Sequence, residues 1–245
     1  MTGQRFSLDR LRALSYIAAG ALLAGCPRPP GPLVPVALAP ASRDSAVLWT
    51  QSTLPRGPTV IRFRWRYADR RVQYAGRGSA RIAPPDSLRF DYAGPFGLGS
   101  GAAVVLGDTV AWADPAANFR SLVPAIPMLW ASLGMVRPPA GGAVVSGGVD
   151  ADKVRDAPRT LWRFARLEEG DTLEYAITVG TRHVLEAEWR RATDVLARSR
   201  TILDAQNRPV AARVDFPEAS ARFELTVVAV DSAAVIPPAL WRSRR

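Results

Sequence analysis

The chain has 245 residues, with 32 basic and 22 acidic side chains, a formal net charge of +10, one cysteine and one histidine. A surplus of this size favours contact with anionic surfaces. A lone cysteine excludes an internal disulfide, and a lone histidine argues against most hydrolytic and zinc chemistry. Lys153 is the only lysine; the arginines are scattered through alternating patterns and not gathered into a stripe suited to nucleic acid.

Arg5, Arg10 and Arg12 precede a short apolar stretch, Leu14 to Gly25, that ends in small residues. This is the layout of a secretory signal and is too short for a membrane-spanning helix. Leu23-Ala24-Gly25-Cys26 closes it as a lipobox, the site where a bacterial signal peptide is cut and its new N-terminal cysteine acylated. Residues 1–25 are therefore read as signal peptide, and Cys26 as the lipid attachment point. One acyl chain anchors only marginally, so stable attachment needs the several chains that lipoprotein processing supplies. After the cut, 29 basic and 21 acidic residues remain. Residues 26–45 are rich in proline and are expected to form a stiff extended tether. A folded domain is expected over 46–236, followed by a basic tail at 237–245.

Val60 to Tyr67 alternates cleanly: Ile61, Phe63, Trp65 and Tyr67 share one face, and Arg62, Arg64 and Arg66 the other. Period two over eight residues predicts a half-buried strand. Strands are also expected at 71–82, where Gly76 and Gly78 allow a bend, and at Ser87 to Tyr92. A hairpin is expected around Gly107-Asp108. The spacing then becomes helical. Phe119, Leu122, Val123 and Ile126, then Leu129, Trp130 and Leu133, predict two short helices with a bend at Pro124 and Pro127. Residues 137–150, rich in proline and glycine, read as a mobile loop. Six further strands follow between Thr160 and Val230, with turn signals at Gly170-Asp171 and Asn207-Arg208.

The fold expected is mainly β: a curved antiparallel sheet or incomplete β-barrel of about ten or eleven strands with a helical lid, because a sheet of that size must curl. Its concave face would collect Phe63, Trp65, Tyr74, Phe90, Tyr92, Trp112 and Trp189, with Leu129 and Trp130 facing them from the lid. Such a face either binds an apolar ligand or is simply core.

In order and pattern the chain resembles the LolA/LolB superfamily of bacterial lipoprotein carriers and outer-membrane receptors, over about residues 47–231. The resemblance rests on the strand around Phe63-Arg64-Trp65-Arg66-Tyr67 and the strand Leu88 to Tyr92 running into Gly94-Pro95-Phe96-Gly97. It rests also on the helical insertion near Phe119 to Leu133 and the closing pair at Pro209 to Phe216 and Arg222 to Val230. It implies an apolar cavity for acyl chains, and the lipobox points to the anchored, LolB-like branch. In that branch a loop presents an exposed apolar residue to the membrane. The matching residue here is Phe96, with Leu98 beside it; the alternative is that Phe96 folds back into the core. The resemblance further implies a monomer anchored in the outer membrane, facing the periplasm. It would receive acylated lipoproteins or other lipids from a LolA-like carrier. The rival reading is a structural or interaction lipoprotein with a filled barrel.

Chemistry offers no competing motif. His183 sits in a strand pattern, on the face of Leu185 and Trp189. There is no GxSxG elbow, and no Asp/Glu cluster has metal-ligand spacing. Gly97-Leu98-Gly99-Ser100-Gly101-Ala102 fits a loose dinucleotide pattern, but a β-like run follows where a helix is required. No enzyme, cofactor, metal or nucleic-acid partner is expected.

Overall fold

The computed structural model describes residues 33–34, 37–94, 99–117, 119, 125–139, 143–152, 157–166 and 170–242. The chain divides into two units, Met1–Pro32 and Leu33–Arg245. The first, with Cys26, lies outside the described residues, as do Phe96 and Leu98. The second is built on one antiparallel sheet of thirteen strands.

In chain order the strands are β1 (Ala39–Pro40), β2 (Thr59–Ala68), β3 (Gln73–Ala83), β4 (Ser87–Ala93), β5 (Gly101–Leu106), β6 (Thr109–Asp114) and β7 (Ala143–Asp152). They continue with β8 (Ala157–Arg166), β9 (Asp171–Thr178), β10 (His183–Arg191), β11 (Asp194–Leu203), β12 (Pro209–Phe216) and β13 (Ala221–Asp231). Two meanders, β2–β6 and β7–β13, are joined where β13 pairs with β2; β1 is added outside β7. The edge strands β1 and β6 do not pair with each other, so the sheet curves without closing. Helix α1 (Arg43–Ser52) and helix α2 (Ile126–Ser132) cover its concave face. This is the incomplete barrel with a helical lid that the sequence predicts.

Three elements differ from expectation. Residues 143–152 form β7, not a loop. Val144, Val145 and Val149 favour extended backbone, and Gly147 lies against the Trp162 ring of β8, where a Cβ would come within 3.0 Å. Helix α1 occupies what the sequence suggests is tether and strand lead-in. Ser42 caps it, accepting from the backbone N–H of Ser45 at 3.1 Å, which satisfies one of the free N-terminal donors. Pro127 does not break the lid helix; it lies in the first turn of α2, where no amide is needed. Gly134, at φ 82°, follows the helix end in the left-handed conformation that favours glycine.

The proline-rich segment is also fastened. Val34 is buried on the convex face of β8 and β9, against Leu161 and Ala176. Its backbone N–H donates to Glu174 at 3.2 Å, and its carbonyl accepts from Arg163 at 2.9 Å. Arg159 reaches the Leu33 carbonyl at 3.2 Å, and Arg163 also pairs with Glu174 at 2.7 Å. The compact unit therefore begins at Leu33, and the expected boundary at residue 45 falls inside α1. The basic tail is likewise part of the structure as far as residue 242: a 3-10 turn, Pro238–Trp241, lies on the convex face.

Candidate functional site

Alternation in β2 turns Ile61, Phe63, Trp65 and Tyr67 inward, and β4 adds Leu88, Phe90 and Tyr92. The register supplies the room for these rings. Phe63 faces Gly78, Trp65 faces Gly76 and Tyr92 faces Gly101 across neighbouring strands. A Cβ at Gly76 would stand 2.8 Å from the Trp65 ring, and one at Gly101 2.6 Å from the Tyr92 ring. Gly76 and Gly78 thus act as ring seats, not bends. Phe63 stacks on Phe90 at 5.3 Å, and Trp65 meets Tyr92 edge-on at 6.3 Å, geometries that add to simple burial. Burial of the Tyr92 phenol, with the nearby Asp114 charge, raises its pKa.

Helix α2 packs over β10, β11 and β12 in the same apolar core. Met128, Leu129 and Trp130 are buried beneath it, and the void left under it, lined by Leu129, Val214, Phe216 and Phe223 among others, is about 10 Å³. Specific bonds seat the lid. Thr201 donates to the Ala131 carbonyl at 2.7 Å, and the Trp130 indole donates to the Gly107 carbonyl at 2.7 Å. The Arg137 guanidinium lies 4.9 Å from the Trp130 ring centre, and its carbonyl accepts from Tyr175 at 2.8 Å. Burial lowers the pKa of Arg137 and raises that of Tyr175.

Two larger cavities flank the filled centre. One of about 320 Å³ is lined by Ile126, Pro127, Leu173 and Trp189, with Asp108, Arg166 and Asp171 as its charged residues. The hydrogen bond from Arg191 holds the Asp171 carboxyl below the usual carboxylate range. The other, about 560 Å³, opens at the far end of α2. Its apolar wall includes Ile61, Ile82, Leu133, Met135 and Val230, and Arg56 stands exposed among its lining residues.

The predicted residues therefore separate. Phe63, Trp65, Phe90, Tyr92, Leu129 and Trp130 come together as packed core, and Trp189 lines the smaller cavity. Tyr74 faces Tyr67 at the rim and is 51% exposed. Trp112 is a correction: it lies on the convex face. A bulge between Val104 and Val105 sets it opposite Val104, on the side of Arg89; Arg89 packs 5.3 Å from its ring centre, and its indole donates to the Trp241 carbonyl at 3.1 Å. His183 bonds Asn207 at 2.7 Å. Among the described residues no three His, Cys, Asp or Glu side chains are grouped to hold a metal. None of the helices there is long and apolar enough to cross a membrane.

Sequence reasoning missed the second aromatic group. Trp49 of α1 stacks on Trp162 at 5.6 Å and lies 6.4 Å from Tyr175, which meets Phe164 edge-on. The signal was present: Ser42 as cap, with Ala46, Trp49 and Thr50 at helical spacing.

Two solved structures share this fold. A LolA superfamily protein from Nitrosomonas europaea superposes with a TM-score of 0.56 at 11% identity, covering 83% of this chain and 99% of that one. A domain assigned to outer membrane lipoprotein sorting, from Vibrio parahaemolyticus, gives 0.54 at 9%, covering 81% and 97%. The likeness to these two structures is one of fold. The superposition spans nearly the whole of both of those chains. No protein-family model matches the chain, and no curated protein matches it in sequence.

Proposed function

We propose that the protein is a lipid-anchored, non-enzymatic binder of acyl chains, acting in the localisation of lipoproteins to the outer membrane. The observation that supports this most is the lid: an open sheet has its apolar face covered by a seven-residue helix with cavities beyond both of its ends. A ligand that exchanges for the apolar face of α2 moves the helix without leaving the sheet in water. If a methylene takes about the volume of a water molecule, about 30 Å³, then the 560 Å³ cavity accommodates roughly one long acyl chain. Further chains require α2 to move. Cys26 supplies the membrane anchor in the periplasm-facing leaflet. Cargo, an acylated lipoprotein or another lipid, arrives from a LolA-like periplasmic carrier, with the protein acting as a monomer. Phe96 and Leu98 form the apolar tip that enters the bilayer during transfer.

The void of about 10 Å³ beneath the lid favours a second reading, a filled barrel that binds no lipid and serves as an interaction lipoprotein. Native mass spectrometry of residues 27–245 with and without a diacylated peptide separates the two. Retained acyl mass supports the binder; its absence across a concentration series, with the fold intact, leaves the filled barrel.

A further inference from the structure

The convex face of β2 and β3 holds four arginines that the lipid-binding reading does not use. Arg62, Arg64 and Arg66 alternate outward on β2, and Arg77 of β3 lies directly opposite Arg64. All four are exposed, and none is among the residues with an ion pair. Several arginines elsewhere are matched: Arg81 and Arg89 share Asp91, Arg163 pairs with Glu174, and Arg213 and Arg222 share Asp215. Like charges facing each other across a ladder destabilise a sheet, so the Arg64–Arg77 pair weakens the strand pairing it sits on. Glu224 faces Arg66 in the register, but Arg213 flanks it from the other side. Over four residues of strand the stripe is about 14 Å long. Val228 stands beside it, 62% exposed, in the bulge that separates the partners of Arg64 and Arg62.

We infer that this stripe is a contact surface for an anionic phospholipid bilayer. Guanidinium groups bind phosphate oxygens in a fork that carboxylates and phosphates both fit. An exposed aliphatic side chain among them suits the boundary between headgroups and acyl chains. The surface lies on the opposite side of the sheet from the lidded apolar face, so headgroup contact and acyl-chain binding use different residues.

The test uses residues 27–245, which include the whole compact unit from Leu33 onward. Sedimentation is measured with phosphatidylcholine vesicles with and without phosphatidylglycerol, across a salt series. Each basic residue near an anionic surface contributes about fivefold to partitioning. The fourfold variant Arg62→Gln, Arg64→Gln, Arg66→Gln, Arg77→Gln is therefore expected to lose about six-hundredfold on anionic vesicles. A charge-matched variant with Arg70, Arg182, Arg200 and Arg242, all exposed and outside both cavities, changed to Gln should lose far less. Thermal unfolding of the first variant should be unchanged or raised, since it removes a repulsive pair. Equal losses in the two variants, or no preference of the parent for anionic vesicles at low salt, overturn the proposal. Retention on polyglutamate but not on vesicles assigns the stripe to an acidic protein and overturns it as well. None of these outcomes bears on acyl-chain binding, which mass spectrometry reads separately.

Discussion

Gly78 shows how much of this barrel rests on absent atoms. Its missing side chain is the space in which Phe63 lies, and Phe63 in turn stacks on Phe90. Gly78→Ala would place a Cβ 2.6 Å from the Phe63 ring tip. Overpacking of this kind costs about 1–3 kcal/mol, so the unfolding midpoint should fall by several degrees. Gly57, with nothing within 4 Å of an added Cβ, is the control, and alanine there should cost little. Asp171 gives a second prediction. The Arg191 bond lowers its folded pKa, so its contribution is complete above the ordinary aspartate range and is lost as pH falls through the folded value. The stability difference between parent and Asp171→Asn should be level near neutral pH and shrink in acid. The effect is small, because Arg191 is largely exposed and screened.

At the scale of the element, α2 is too short to be stable alone and exists because the sheet holds it. Trp130 is fully buried, and Trp130→Ala should cost about 3–5 kcal/mol. Thr201→Val keeps the shape and removes only the bond to the Ala131 carbonyl, a change of about 1 kcal/mol. If lipid entry requires the lid to leave, this variant should unfold slightly earlier yet bind an acylated peptide several-fold more tightly, because less is lost in opening. Binding that weakens in step with stability would count against lid displacement. Elements with strict alternation were legible in the sequence: β2, β4, β8 and β10 to β13 start and end within a few residues of expectation. Trp112 was not, because a bulge at Ala111, the residue before it, reversed its face, and a one-residue slip moves every side chain across the sheet. β7 was hidden because its glycines look like loop until Trp162 and Leu38 are seen packed against them.

For the whole molecule, the described residues give one apolar face, two helical covers and a filled centre with a cavity beyond each end of α2; under the proposed function a lipid would begin to enter at those cavities. Phe96→Glu should leave the unfolding midpoint unchanged and reduce delivery of acylated peptide to vesicles if the loop is a membrane tip. A large fall in the midpoint would place Phe96 in the core instead. The concave rings could be read from pattern; whether they enclosed space could not, since volume depends on how closely α2 approaches and on which glycines face which rings. The proline-rich segment was misread for a related reason. Its composition describes a spacer, while its partners Arg159, Arg163 and Glu174 lie far along the chain.

That distance sets an order of events. Val34 and Glu174 are separated by 140 residues, and β1 meets β7 only after more than half of the chain has been made. A chain that emerges from its N-terminus cannot close this latch until β8 and β9 are present. Until then Val34, Ala39 and Pro40 lack these partners. Once Val34 is seated, this stretch becomes part of the wall of the sheet, so the segment made first in the compact unit is among the last to find its place.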